Sequence, residues 1–224
     1  MPYIQSVTQM QTVFESIAGF CAKHPKLTCY VFVDIDNTFL KMKDSLGSDQ
    51  WFKWQLDMIE QKKDKEHGCV TKDLTTLCDV LHSLYKTQPC ESCETHVPST
   101  LAALVKKYNK QLKLVFITAR AHCMRNTSID QIELLFGYPI PPYEIITCNG
   151  DSKADYIYKH VKNTITHALF MVDDSLEHLA GVSNIPELAR FHIELFHYIN
   201  QLHAVIEFHE NDKQPYIDMF NLIP

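Results

Sequence analysis

Cys29-Tyr30-Val31-Phe32-Val33-Asp34-Ile35-Asp36-Asn37-Thr38 is the stretch on which the fold turns. Its apolar run shows no alternation and stops abruptly at an acid. That is the pattern of a strand buried on both faces of a parallel sheet. Similar runs recur at Leu112–Thr118 and Ala168–Asp173, with a shorter one at 143–147. A weaker one spans 191–196, broken by His192 and Glu194.

Helical spacings lie between these runs. Leu101, Leu104, Val105 and Tyr108 share one face. Ile129, Ile132, Leu135 and Phe136 share another, with Ser128 as the expected N-cap. Ala154, Ile157, Tyr158 and Val161 share a third, with Ser152 as the expected N-cap. Upstream, Ile4, Val7, Gln11, Phe14, Ile17, Ala18 and Cys21 predict one opening helix that ends before Pro25. Strands alternating with helices predict an α/β fold around a central parallel sheet.

Residues 41–95 break this rhythm. They hold Trp51, Phe52 and Trp54, a charged run over Lys62, Lys63, Asp64, Lys65 and Glu66, and a second helical pattern at Leu77, Leu81, Leu84 and Tyr85. The expectation is a small, mostly helical insertion after the first strand, its charged middle a solvated turn. The core is then 1–40 and 96–224. The aromatic trio fits the insertion's own core better than an entrance to a site.

Composition narrows the function classes. The 224 residues carry 21 Lys plus Arg against 27 Asp plus Glu, a formal charge of −6. That balance offers no electrostatic footprint for nucleic acid, and argues against a membrane-surface adaptor. No apolar run approaches the roughly 20 residues of a membrane helix, so no membrane partner is expected from this chain alone. The opening MPYIQSVTQM lacks the basic n-region of a Sec signal. Eight cysteines are too few for a disulfide scaffold, and reduced thiols are expected. Cys90 and Cys93 form a CxxC near His67, Cys69, Cys78, His82 and His96. No second CxxC or HxxxH accompanies them, which disfavours zinc.

The acids at strand ends carry the chemistry. Ligands of open parallel sheets bind beyond the carboxyl ends of the strands. There the chain places Asp34 and Asp36, then Thr118-Ala119-Arg120, then Asp173-Asp174-Ser175, with Lys153 opening the helix before the last of these. Asp34 and Asp36 are two apart and share a side, so they repel. A divalent cation with oxygen ligands, Mg²⁺ by preference, relieves that repulsion. Either motif alone also fits a helix cap or a turn. Both together, with Thr118 and Lys153 in order between them, favour a site. Lys41, Lys43, Arg120, His122 and Arg125 lie near motif ends and could draw in an anionic substrate.

Asp34-Ile35-Asp36-Asn37-Thr38, then Thr118, Lys153 and Val172-Asp173-Asp174, resemble the four ordered motifs of the haloacid-dehalogenase (HAD) superfamily. A receiver domain has similar residues in a different order. The resemblance covers about 27–42 and 112–180, and implies a Rossmann-like HAD core with a cap inserted after the first strand. It implies a Mg²⁺-dependent phosphomonoester phosphatase. Asp34 would be the nucleophile, forming an aspartyl phosphate. Asp36 would be the acid and base, with Thr118 and Lys153 completing the catalytic set. Asn37, Thr118, Ala119 and Lys153 would bind phosphate. Asp34, Asp36 through its carbonyl, Asp173 and Asp174 would serve the metal.

The acid at position 36 separates phosphatases from dehalogenases, which lack it, and from transport ATPases, which carry Thr there. The branch most resembled includes Legionella-type secreted effectors that dephosphorylate proteins, including at phosphotyrosine. The expected substrate is thus a phosphorylated protein, or alternatively a small phosphomonoester such as a nucleotide or sugar phosphate. A third expectation is a binding or scaffold module that has lost turnover. The expected location is the cytoplasm, or a host cell reached by a non-Sec route.

Overall fold

The computed structural model describes residues 2–64, 67–137 and 139–201. Two compact units emerge. One joins Met1–Leu40 to Ser92–Gln201, and the other is Lys41–Glu91. Residues 92–95, read above as insertion, therefore belong with the first unit. Residues 202–224, read above as core, lie outside the described residues, as do Lys65 and Glu66 of the charged run.

The first unit is built on six parallel strands: β1 (Ile4–Val7), β2 (Cys29–Asp34), β5 (Leu112–Thr118), β6 (Glu144–Thr147), β7 (Ala168–Asp173) and β8 (His192–Tyr198). Their spatial order is β1-β8-β7-β2-β5-β6. From β2 the chain steps outward to β5 and β6, then crosses back to β7 and β8. The quoted stretch thus occupies the centre of a Rossmann-like parallel sheet, at the point where the winding reverses.

Alternation along each strand divides the core into two layers. Phe32, Val115, Ile117, Leu169, Met171 and Leu195 face α6 (Lys153–Val161) and α7 (Leu176–Ser183), meeting Ala154, Ile157, Val161, Leu179 and Val182. The intervening positions face α1 (Met10–Lys23), α4 (Val97–Lys107) and α5 (Arg125–Phe136). Phe170 meets Phe20 of α1 edge-on at 5.6 Å, and Phe116 meets Phe136 of α5 at 6.1 Å. With both sheet faces covered, the strands need to be apolar throughout, as their sequence is.

The opening helix is a correction. Ile4–Val7 is an edge strand paired with β8, and α1 begins only at Met10. The buried face of α1 is Met10, Val13, Phe14, Ile17, Phe20 and Cys21, with no polar interruption. Including Ile4 and Val7 shifted the expected stripe onto exposed Gln11. A second correction concerns Ser128. It lies inside α5, where its hydroxyl donates to the Met124 carbonyl at 3.0 Å rather than capping a helix. Ser152 does cap α6, accepting from the Asp155 N–H.

The second unit holds α2 (Asp49–Glu60) and α3 (Leu74–Thr87), capped by Ser48 and Asp73. Trp51 is fully buried, and so are Leu77, Leu81 and Leu84. The Gln55 side chain pins the connecting loop, donating to the Gly68 carbonyl and accepting from the Val70 N–H, each at 3.0 Å. Gly68 is required there. Its φ is +90°, and an added Cβ would lie 2.8 Å from the Trp54 ring. Two short strands, β3 (Leu40–Met42) and β4 (Cys90–Ser92), form a separate sheet where the chain leaves and re-enters the first unit.

Glu94 ties distant parts of the first unit together. Its Oε1 accepts from the Met10 N–H, the otherwise uncapped start of α1, and from the Tyr198 hydroxyl at the end of β8, each at 2.8 Å. Burial and the Glu94 carboxylate both push the Tyr198 phenol above its usual pKa. Glu94→Ala is expected to lower stability by about 2–3 kcal/mol, because two charge-assisted hydrogen bonds vanish. A lower urea midpoint at unchanged slope would register this. Glu94→Gln keeps an acceptor oxygen and should lose less.

Candidate functional site

Register brings the strand ends level. Asp34, the last residue of β2, pairs with Ile117 of β5, one residue before Thr118. Val33 pairs with Val172 of β7, one residue before Asp173. The acids and the threonine therefore emerge together at the carboxyl edge of the three central strands.

Lys153 is the first residue of α6 and lies fully buried beneath this edge. Its Nζ donates to Asp34 Oδ1 at 2.6 Å and to Asp173 Oδ2 at 2.8 Å. Burial works against its charge, yet Asp173 and Asp34 outweigh that and hold its pKa above the lysine range. The two acids are not equivalent. Burial raises Asp34 well above the usual carboxylate range, and repulsion from Asp173 adds to this, against the opposing pull of Lys153. Burial also acts on Asp173, but Lys153 and a hydrogen bond with His178 bring it below the usual value. Asp173 Oδ1 accepts from the Ser175 N–H at 2.9 Å and lies 3.2 Å from His178 Nδ1. Ser175 is itself the N-cap of α7. The capping alternative thus holds for Ser175 and not for Asp173.

Among the described residues, one group of three or more His, Cys, Asp or Glu side chains converges as a cation would require. It is Asp34, Asp173 and Asp174, with ligand atoms within 4.8 Å of one another. The cysteines and histidines weighed above for zinc form no such group among these residues. The carboxylate of Asp36 also stands outside the convergent group. It is held instead by Arg120, whose Nε donates to Oδ2 at 2.8 Å and whose terminal nitrogen donates to Oδ1 at 2.7 Å. Arg120 is therefore no surface lure for an anion: its side chain is only 3% exposed and is bonded to Asp36. His122, Arg125 and Lys43 are exposed, and Lys41 lies 3.6 Å from Glu91.

A tight turn follows Asp34. The Phe39 and Leu40 N–H groups both donate to the Ile35 carbonyl, and the Asn37 N–H donates to the Leu40 carbonyl. Asn37 takes a left-handed φ of 58°, which asparagine tolerates better than most residues. The turn carries the Thr38 hydroxyl back to Asp34 Oδ2 at 3.4 Å. Thr118 is buried, its hydroxyl accepting from the Arg120 N–H at 3.2 Å, whereas Ala119 is exposed. The loop after β6 is stitched to this segment by the Cys148, Asn149 and Gly150 N–H groups, which donate to the carbonyls of Thr118, Arg120 and Ala119.

The structure thus brings Asp34, Lys153, Asp173 and Asp174 together, with Thr118 at the neighbouring strand end. It holds Asp36 apart on its own cation. Sequence reasoning missed Thr38, His178 and the Arg120 clamp. A signal for the clamp existed. Ser128 and Gln131 are polar residues three apart on α5, and with Thr127 and Ile132 they prove to be its buried face.

Among known proteins, the family described as "Protein of unknown function (DUF2608)" matches residues 7–137, more than half of the 224. The chain belongs to this family. The DUF2608 match runs from the end of β1 through α5. It takes in Asp34, Asp36, Thr118 and Arg120 and stops before Lys153, Asp173 and Asp174. Among solved structures, the chain is similar to the HAD domain of effector protein Lem4 from Legionella pneumophila, an inactive mutant. That likeness has 12% identity and a TM-score of 0.45, and spans 87% of this chain and 99% of the other. No curated protein matches this DUF2608 member. Among its described residues, no helix is long and apolar enough to cross a membrane.

Lys153→Ala leaves two buried carboxylates facing each other. The expected loss is about 3–5 kcal/mol in urea denaturation with chelator present, the cost of breaking a buried ion pair from one side. Adding Asp34→Asn should recover part of that loss. A double variant no more stable than the single would show that repulsion between Asp34 and Asp173 is not its origin.

Proposed function

We propose that this chain is a Mg²⁺-dependent phosphomonoester hydrolase of HAD type that works through an aspartyl phosphate on Asp34. The observation that carries this reading is the placement of Asp34. It is a buried carboxylate ending the central strand, convergent with Asp173 and Asp174 and bonded to a buried lysine. Three carboxylates facing one ammonium, with Asp34 pushed toward neutrality by burial and repulsion, fit a hard divalent cation. Asp34, Asp173, Asp174 and the main-chain carbonyl of Asp36 would hold Mg²⁺, which when bound supplies positive charge against the phosphoryl oxygens.

The protein's own residues supply the rest. An oxygen of Asp34 attacks phosphorus, and the bond from phosphorus to the ester oxygen breaks. Asp36 passes its proton to the departing oxygen. In the second half, water attacks the aspartyl phosphate, its proton goes to Asp36, and inorganic phosphate leaves with Asp34 restored. Lys153 offsets the charge between nucleophile and phosphoryl group. The Thr118 hydroxyl, the Ala119 N–H and Asn37 are the groups proposed to receive the phosphoryl oxygens. Fixed donors of this kind act without reorganising as charge develops.

The proposed substrate is a phosphorylated protein, including at phosphotyrosine, with a small phosphomonoester as the competing class. Hydrolysis of p-nitrophenyl phosphate should require Mg²⁺, cease in EDTA, and fall below detection in Asp34→Asn while the melting temperature stays nearly unchanged. Turnover persisting in that variant would remove Asp34 from the nucleophile's role. A set of phosphopeptides run beside phosphometabolites separates the two substrate classes.

Mg²⁺ should also raise the melting temperature. Saturation at 100 times its Kd corresponds to about 2.7 kcal/mol. Asp173→Asn should abolish the shift. A shift without turnover would favour a binding module over an enzyme.

A further inference from the structure

We infer that Arg120 is the positioning residue for Asp36, fixing its carboxylate for the hydrolysis of the phosphoenzyme. The inference rests on the phosphatase reading above. It concerns a residue that the sequence placed near a motif end, as a cation that could draw in an anionic substrate, and that the structure bonds to Asp36 instead.

The geometry is that of a two-stage clamp. The guanidinium donates through two nitrogens to both oxygens of Asp36, at 2.8 and 2.7 Å. Its remaining terminal nitrogen donates to Ser128 Oγ at 2.9 Å and to Gln131 Oε1 at 2.7 Å. Ser128 in turn donates to the Met124 carbonyl, so its hydroxyl is used in both directions. Ser128 and Gln131 are three apart on one face of α5, and both are buried. The clamp therefore runs from a rigid helix, through a planar cation, to a carboxylate on a turn.

A stabilising role alone does not account for this arrangement. Buried ion pairs are often matched or exceeded in stability by apolar replacements. A two-pronged arginine fork instead dictates the plane and direction of the carboxylate, which a lysine point charge would not. Asp36 needs such help, because its turn runs through a left-handed Asn37 and lies beyond the end of β2. The fork takes one lone pair from each oxygen and leaves the others. The Asp36 side chain remains 20% exposed, so a water can reach it. It can then accept the proton of the water that attacks the aspartyl phosphate, returning it later to a leaving group. General-base assistance of this kind typically contributes 10²–10⁴-fold, and misplacement by about 1 Å can forfeit some 100-fold.

The test separates the two half-reactions. p-Nitrophenolate departs without a proton, so phosphorylation of Asp34 by p-nitrophenyl phosphate needs Asp36 little, whereas hydrolysis of the intermediate needs it fully. In Arg120→Ala, kcat on this substrate with Mg²⁺ should fall about 100-fold while kcat/KM falls less than about 10-fold, so that KM drops with kcat. A burst of nitrophenol close to one per enzyme should precede the slow steady state. Gln131→Leu removes one tether of the fork and should show the same split at about 3- to 10-fold, and Arg120→Lys should lie between. These milder variants keep the test decisive if Arg120→Ala does not fold.

Equal losses in kcat and kcat/KM at constant KM, with no burst, would mean that the clamp only supports the fold, and would overturn the inference. Full activity in Arg120→Lys and Gln131→Leu would overturn it equally. A wild-type protein that binds Mg²⁺ yet turns over nothing would overturn the phosphatase reading itself, and the positioning role with it.

Discussion

A buried lysine between two buried carboxylates is the constraint around which this molecule is organised. Lys153 can stay charged inside the protein only because Asp34 and Asp173 bracket it at 2.6 and 2.8 Å. Those acids can stay close only because Lys153 separates their charges. Each partner comes from a different element: the central strand, its neighbour, and the helix that leads from the edge strand β6 back to that neighbour. The interaction can therefore form only when the parallel sheet has its observed order and register. Removing Lys153 leaves two facing carboxylates whose charge burial penalises heavily, whereas removing Asp34 leaves Lys153 still paired with Asp173.

The anionic edge is divided between two cations. Lys153 serves the convergent group beneath the sheet edge, while Arg120 takes Asp36 away from it. This division settles a conflict visible in the sequence, where two aspartates two residues apart repel. A strictly extended backbone would set both carboxylates on one side. The turn after Asp34 ends the strand period instead, with Asn37 left-handed and the chain folding back at Leu40. The two side chains then find separate partners. Three carboxylates remain against one ammonium, the imbalance that makes the group suited to a divalent cation.

The two units are held by different means. The first depends on aromatic and aliphatic layers on both faces of its sheet, with polar contacts such as Glu94 joining segments 84 and 104 residues apart. The second has a small core around Trp51 and a helix pair whose loop is secured by Gln55 and shaped by Gly68. Its sequence signals are local, as suits a short insertion with well-capped helices.

Much of this was legible in the chain alone. Long apolar runs identified the three central strands, β2, β5 and β7, because strands covered on both faces have no polar side to show. The acids at their ends, with Lys153 opening a helix after Ser152, were legible because strand ends and helix caps are local events. Other features were not. Ile4–Val7 has the spacing of a helix and becomes a strand only because β8 offers it an edge. Ser128 has the chemistry of a cap and becomes a buried acceptor because Arg120 arrives from another segment. The sequence by itself determined which residues would be the central strands, and that their acids would gather at one edge, since periodicity and burial are written residue by residue. Only the tertiary structure decided which cation each acid would meet, since those pairings join positions as much as 119 residues apart that no local pattern connects.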